Sequence, residues 1–318
     1  MATTSSAPSS ATASPVARDR PDPVAESGRR GRWLYPLAVG LLVVNVLVVV
    51  TGGAVRLTSS GLGCPTWPQC TAGAFVAHPS LGIHGAIEFG NRLLTFVLGG
   101  VAIATAVSAW RRRPVQRPVR WLAITAGLTV PAQAVIGGIT VLTKLDPWIV
   151  GLHFVFSMAV IALCTVLVRR VGWGQLRRGS ARRAVRVGAW AVAVVTAAVL
   201  TVGTVVTGSG PHAGDAGSAR NGLAPAAVSQ LHADLVFLLL GLSIGLLVAG
   251  RAIGSHALAR AAALLLGIEL AQGVVGFVQY FTGLPVGLVD LHLLGAAVLA
   301  AAGTNLVLEA RRVAEPRT

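Results

Sequence analysis

Residues 36–55 read PLAVGLLVVNVLVVVTGGAV, a run without a charged side chain. At 1.5 Å per residue, a helix of this length spans the roughly 30 Å hydrocarbon core of a bilayer. Seven further apolar segments of similar length follow, at residues 87–109, 119–142, 149–168, 185–207, 229–250, 259–281 and 285–308. The sequence therefore predicts an all-α, polytopic membrane protein with eight transmembrane helices.

The composition excludes a single water-soluble globular domain. Of the 318 residues, 54% are hydrophobic and 12% are charged, and the mean hydropathy is +0.72. Soluble domains carry about twice that charged fraction. The net charge of +15 also occurs in nucleic-acid-binding proteins, but here the arginines lie in short loops between apolar segments, which is typical of membrane topology. We therefore expect no nucleic-acid partner.

The basic residues indicate which side of the membrane each loop faces. Segments on one side hold five arginines before residue 33, five at residues 111–120, seven at residues 169–186, two at residues 251–260 and three after residue 310. The alternate loops hold only Arg56, Lys144 and Arg220. Because basic residues accumulate in cytoplasmic loops, we expect a multi-pass membrane protein with both termini cytoplasmic. Expected cytoplasmic segments are a disordered tail at residues 1–35, a linker at residues 171–184 and a second tail at residues 309–318.

The chain contains an internal repeat. Residues 133–153 align without gaps on residues 272–292, with 8 of 21 residues identical, including a histidine at the end of each segment. Chance similarity between Leu-, Val- and Gly-rich helices is the alternative explanation. The match predicts two four-helix bundles, at residues 36–170 and 185–308. Because each bundle has an even number of helices, we expect a pseudo-twofold axis along the membrane normal.

Ionisable side chains inside a bilayer are costly and therefore point to function. Four of them lie on the even-numbered predicted helices, at Glu88, His153, His232 and His292. Each is within about two turns of the end expected to face outward, so the four form one layer near the outer membrane face. Imidazole is the common axial ligand of haem iron, and facing helices of a bundle hold such groups. We therefore expect a haem between His232 and His292 rather than zinc, which needs about four clustered ligands.

The N-terminal bundle differs at the corresponding position. The residue that matches His232 is Asn91, a poor iron ligand. His84 is a possible substitute, although its place at the edge of a loop favours an interfacial role. Glu88 lies three residues before Asn91, on the same helical face. Its carboxylate either transfers protons beside an open iron position or forms an i, i+4 ion pair with Arg92.

The first outer loop contains GLGCPTWPQC at residues 61–70, with Cys64 and Cys70 six residues apart. A disulfide is chemically permitted outside the cytoplasm, although spacing alone does not establish one. Such a pair acts as a structural staple or as a redox switch. Trp67 in the same loop is expected to anchor at the membrane interface.

Together these segments resemble the heme A synthase family, membrane enzymes that convert heme O to heme A for terminal oxidases. The likeness spans about residues 36–308. It rests on TGGAV at residues 51–55, the cysteine loop, IEFGNR at residues 87–92, LHF at residues 152–154, His232 and His292. Members of this family have eight helices in two four-helix halves, which agrees with the pattern of apolar segments.

The resemblance implies a division of labour between the two halves. The C-terminal half would hold haem b through His232 and His292 for electron transfer. The N-terminal half would receive heme O at a site that includes His153, Asn91 and Arg92, with His153 on the iron side and Glu88 essential for oxidising a porphyrin methyl group to a formyl group. The resemblance also implies a location in a bacterial plasma membrane. The outer cysteines resemble the family's first-loop pair, which implies a disulfide. Water and dioxygen both stay open as the oxygen source, and the electron donor is not indicated.

Two features depart from the family pattern. Many members have histidine where Asn91 stands, so iron in this half is five-coordinate on His153 or takes His84 or water. The second cysteine pair that some members carry between helices five and six is missing. Candidate partners are heme O synthase, oxidase assembly proteins and a second copy of this chain.

Two other classes of membrane protein would also use intramembrane histidines. A membrane cytochrome that only passes electrons has the same bis-histidine core but no need for Glu88. A repeat-built transporter would use the histidines and Glu88 as proton relays, and it predicts broken helices near the midplane. The polar residues of this chain instead gather near the expected outer face.

The predicted orientation is tested by reporter fusions. A fluorescent protein fused after residue 313 should fold and fluoresce, because that end is expected in the cytoplasm. Alkaline phosphatase fused at residue 145, in a loop expected outside, should be active, whereas the same enzyme at residue 313 should be inactive. The reverse pattern would contradict the orientation.

Overall fold

The computed structural model describes residues 33–173 and 183–313. Most of the expected tail at 1–35, the centre of the linker at 171–184 and the last residues of the tail at 309–318 lie outside these described ranges. Within them, eight helices are long and apolar enough to cross a membrane, which confirms the all-α, eight-helix prediction. They are α1 Leu34–Leu57, α2 Gly82–Arg111, α3 Arg117–Leu142, α4 Pro147–Trp173, α5 Arg183–Ser209, α6 Pro225–Ala252, α7 His256–Phe281 and α8 Val286–Ala310.

The helices are longer than the apolar segments that predicted them. Helix α2 begins at Gly82, five residues before the predicted start, directly after a short 3-10 turn at Pro79–Leu81. Helix α6 begins at Pro225, four residues early. Proline suits a first helical position because the N–H it lacks would have no partner there. Hydropathy indicates only the part of a helix that crosses the hydrocarbon core. The helical hydrogen bonds continue beyond that part, so the helices are longer than the apolar segments.

The helices pack as two four-membered groups. In the first, α1 contacts α2, α2 contacts α3, α3 contacts α4, and α4 returns to α1; helices α5 to α8 repeat this order. Between the groups, α4 contacts α8, α1 contacts α8, and α4 contacts α5. An exchange of the two groups maps this set of contacts onto itself. This pattern supports the predicted repeat, while the pseudo-twofold axis itself stays a prediction.

Each group has its own apolar core, and a third cluster joins them. The first core includes Leu41 and Leu167, and the second includes Leu239 and Leu265. The joining cluster consists of Met158, Ile161, Leu200, Ala297 and Ala300, from α4, α5 and α8. Since lipid is as apolar as these side chains, helix association here depends on close van der Waals packing.

Polar contacts fasten the interface at both ends. At one end, the Arg169 guanidinium on α4 lies 2.5 Å from the Glu309 carboxylate on α8. At the other end, Arg56 of α1 donates hydrogen bonds to the carbonyls of His212, at 2.7 Å, and Thr207, at 3.2 Å. The two halves are therefore tied through side chains as well as through apolar packing.

Replacing Ile161 by alanine should destabilise the protein. Ile161 is fully buried between the halves, and truncating a buried isoleucine costs roughly 2–5 kcal/mol. Ile103→Ala on α2 is the matched control, because that side chain is 67% exposed on the outer surface of the bundle. We expect a lower thermal midpoint in detergent for Ile161→Ala only. Equal shifts for the two variants would contradict the packing role of the joining cluster.

Candidate functional site

The four ionisable residues singled out from the sequence occupy matching positions. Glu88, His153, His232 and His292 each lie six or seven residues after the first residue of their helices. At 1.5 Å per residue this is a depth of about 10 Å along each helix. The even-numbered helices therefore carry one polar layer near their N-terminal ends.

Within this layer, His232 and His292 face each other. Their ring centroids are 6.5 Å apart, and the ring planes are inclined by 69°. Half of that separation, about 3.3 Å, matches an imidazole ring radius plus a metal–nitrogen bond of about 2.0 Å. The Nδ1 atom of the His292 ring is buried without a hydrogen-bond partner. The distance between the two rings fits a pair of imidazoles that would hold one haem iron between them.

Glycines bring all three intramembrane histidines close to a neighbouring helix. A Cβ atom at Gly203 would lie 3.2 Å from His232 Cε1. A Cβ at Gly137 would lie 3.4 Å from His153 Cε1, and one at Gly276 would lie 3.6 Å from His292 Cε1. Gly137 and Gly276 are repeat-related, so the glycine–histidine contact recurs in both halves. A bulkier residue at these positions would displace the imidazole.

The N-terminal half has a different residue at the position that matches His232. The Asn91 Oδ1 atom accepts a hydrogen bond of 2.7 Å from the Thr51 hydroxyl on α1. His153 also has a buried Nδ1 without a partner, but no ring contact to it occurs within the described residues. The structure thus brings together two histidines in one half and sets one histidine apart in the other.

Glu88 forms the ion pair with Arg92 that the sequence left as one of two interpretations. Its Oε1 atom lies 2.6 Å from Arg92 Nη2, and its Oε2 atom accepts a hydrogen bond of 2.7 Å from the Cys64 amide. The residue is 5% exposed. Pairing and hydrogen bonding of this kind keep a buried carboxylate tolerable.

Arg92 also binds the first outer loop. Its Nη2 atom donates to the carbonyls of Cys64, at 3.0 Å, and Thr66, at 3.1 Å. Its Nη1 atom donates to the Gln69 carbonyl at 3.3 Å. A planar guanidinium presents several donors in a fixed fork, so one side chain holds both ends of the cysteine loop on α2.

The loop is further fixed by covalent and packing contacts. A disulfide joins Cys64 and Cys70, which confirms the expected bond. The Trp67 ring lies on Gly138 of α3, where a Cβ would overlap it. Trp67 therefore packs the loop against α3, in a slot that Gly138 opens for its ring, and its position at the membrane interface stays a prediction. The Gly61 amide donates to the Gly214 carbonyl at 2.9 Å, linking this loop to the C-terminal half.

His84 lies beneath the start of the same loop. Its Nδ1 atom is 2.9 Å from the Ser60 hydroxyl, and the backbone at Gly63 packs against the His84 carbonyl. This hydrogen bond supports an interfacial role for the ring and occupies one of its two nitrogens.

The sequence pattern of the COX15-CtaA family, described as cytochrome oxidase assembly protein, matches residues 35–80 and 83–304. The chain belongs to this family. The match reaches into all eight helices, so the three intramembrane histidines and the cysteine loop lie within the family's shared region.

Curated bacterial relatives named heme A synthase are similar to parts of the chain. The protein of Halalkalibacterium halodurans is 33% identical over 126 residues, which are 38% of this chain and 42% of the relative. That of Lysinibacillus sphaericus is 32% identical over 147 residues, or 45% and 47%. That of Symbiobacterium thermophilum is 28% identical over 184 residues, or 54% and 58%. The chain spans about half the length of these relatives in each match.

Two contributors to the site were not found from the sequence. Thr51 belongs to TGGAV, a segment that carries the family resemblance but does not indicate that its hydroxyl binds Asn91. Arg92 was predicted at the substrate-haem site and as a possible ion-pair partner of Glu88, whereas three of its hydrogen bonds end on loop carbonyls. Backbone carbonyls carry no side-chain signature, so no residue pattern marks such contacts.

Arg92→Lys should loosen the cysteine loop while keeping the positive charge. A lysine ammonium cannot reproduce the fork that reaches three loop carbonyls. We expect dithiothreitol to reduce the Cys64–Cys70 disulfide faster in this variant. The free thiols are measured by labelling with a maleimide that shifts the mass of the protein. Arg120→Lys is the control, because Arg120 lies at the opposite end of α3 and contacts the Trp110 carbonyl instead. Equal reduction rates in both variants would contradict the anchoring role of Arg92.

Proposed function

We propose that this protein is a heme A synthase, which oxidises a methyl group of heme O to a formyl group to give heme A for terminal oxidases. Membership of the COX15-CtaA family and the names of the relatives support this activity. The observation that carries the proposal is the facing pair His232 and His292 in one half, beside a second half that keeps only one histidine of such a pair.

In this proposal the C-terminal half holds haem b as a resident cofactor. His232 and His292 would hold its iron between their rings, whose centroids lie 6.5 Å apart. When bound, haem b supplies one-electron transfer. Gly203 of α5 and Gly276 of α7 let those helices lie directly against the two rings.

The N-terminal half receives heme O. His153 is the proposed iron-side residue, and Gly137 keeps its ring against α3. Asn91 on α2 stands at the position of a second histidine in this half, and its side-chain oxygen accepts a hydrogen bond from Thr51. An amide is a weaker ligand than imidazole, so this side leaves the iron accessible, as a substrate that enters and leaves requires.

Glu88 is the proposed catalytic residue. It lies one turn from Asn91 on α2 and is buried beneath the cysteine loop. Its carboxylate is positioned by Arg92 and by the Cys64 amide, and it takes up a proton at Oε1 or Oε2 as the methyl group is oxidised. The loop above it excludes water from this half through the Trp67 and Arg92 contacts.

The test is haem analysis of membranes from cells that also express a heme O synthase. The wild-type chain should yield haem b together with heme A or its hydroxylated precursor. Glu88→Gln should retain haem b but make at least about 100-fold less heme A, the typical contribution of a positioned proton acceptor. Asp234→Asn is the control, since Asp234 bonds only Gln230 on an exposed face of α6.

Two outcomes would redirect the proposal. Haem b alone, with heme O accumulating unchanged, would favour a cytochrome that only passes electrons, for which the pair His232 and His292 suffices. Wild-type heme A levels in Glu88→Gln would leave the enzyme assignment standing and remove the catalytic role of this carboxylate.

A further inference from the structure

A glutamine on α7 binds the backbone of the residue proposed as a haem ligand on α8. The Gln272 Nε2 atom donates a hydrogen bond of 2.9 Å to the His292 carbonyl. That carbonyl lies in the interior of α8, so the amide uses an acceptor position beyond the helix's own hydrogen bond. Contacts between neighbouring membrane helices of this kind fix one helix against the other.

Gly295 makes room for this contact. A Cβ atom at Gly295 would overlap the Gln272 side-chain amide. The amide therefore occupies the space that any other residue at position 295 would fill. Glycine at this position and glutamine at position 272 depend on each other sterically.

The same helix face also contacts the ring of His292. Gln272 and Gly276 are four residues apart on α7, and residues with that spacing share a helix face. The first binds the His292 carbonyl, and the second lies against its Cε1 atom. Helix α7 thus holds both the backbone and the ring of His292.

The N-terminal repeat lacks this direct contact. Gln133, the counterpart of Gln272, donates at 2.6 Å to the Ser157 hydroxyl, which in turn donates at 2.9 Å to the His153 carbonyl. Phe156 stands where the other half has Gly295. The His153 carbonyl is therefore linked to α3 through a rotatable hydroxyl, although Gly137 lies against the ring in this half as well.

We propose that Gln272 and Gly295 are positioning residues that lock His292 opposite His232 and so make the C-terminal half retain its haem. This inference rests on the proposed function, in which that haem stays bound while the other is exchanged. The indirect link at His153 gives the substrate half the freedom that exchange requires.

The experiment measures loss of haem b from purified protein to excess apomyoglobin. The protein comes from cells without heme O synthase, so that haem b is the only haem supplied. Gln272→Ala removes the donor, and Gly295→Ala displaces it. Each should raise the dissociation rate roughly two- to tenfold, the change that corresponds to one neutral hydrogen bond. Each should also shift the low-spin ferric signal in electron paramagnetic resonance.

The double variant separates positioning from general packing. If the methyl group at position 295 acts only by displacing the amide, Gly295→Ala should add nothing in the Gln272→Ala background. Gly287→Ala on the same helix is the matched control, because a Cβ there meets no atom within 4 Å. Gln133→Ala should leave haem b loss unchanged, since its contact lies in the other half.

The outcomes distinguish this inference from the proposed function. His292→Ala serves as the reference and should abolish haem b binding; retained haem there would overturn the ligand assignment itself. If His292→Ala loses haem but Gln272→Ala and Gly295→Ala behave as wild type, the positioning role is wrong and the ligand assignment stands. Additive effects in the double variant would likewise overturn the inference.

Discussion

The absence of water in the hydrocarbon core is the constraint on which this structure depends. A polar group there must find a partner in the protein or a bound ligand. The Thr51 hydroxyl has its partner in Asn91. The Glu88 carboxylate has its partners in Arg92 and the Cys64 amide. His232 and His292 face each other with their ring centroids 6.5 Å apart, and in the proposed function a haem between them would be their polar partner.

The two halves share one arrangement of helices, histidine and glycine, and we propose different functions for them. Both place a histidine six residues into an even-numbered helix and a glycine of the preceding helix beside its ring. They differ at the position that matches His232, where the N-terminal half has Asn91. In the proposed function, two imidazole ligands retain a haem, whereas a single one allows exchange. A few substitutions in a duplicated four-helix unit would then separate a cofactor half from a substrate half.

The sequence predicted the fold well because hydropathy and charge act over whole helices. The eight helices were predicted from the lengths of the apolar segments. The candidate site residues were predicted because an ionisable side chain in lipid carries a high free-energy cost. The partners of those residues did not follow. Whether Glu88 pairs with Arg92 depends on rotamers, and the bonds from Arg92 to the loop end on backbone carbonyls. The contact of the Trp67 ring with Gly138 did not follow either, because the slot forms only when α3 and the loop pack together.

The central claim is that the two halves hold different haems. The most direct test extracts and identifies the haems bound to His232→Ala and His153→Ala proteins purified from cells that make heme O. We expect His232→Ala to lose haem b, whereas His153→Ala should keep haem b and lose heme O and its oxidised products. Loss of haem b from His153→Ala with retention in His232→Ala would contradict this assignment of the two haems.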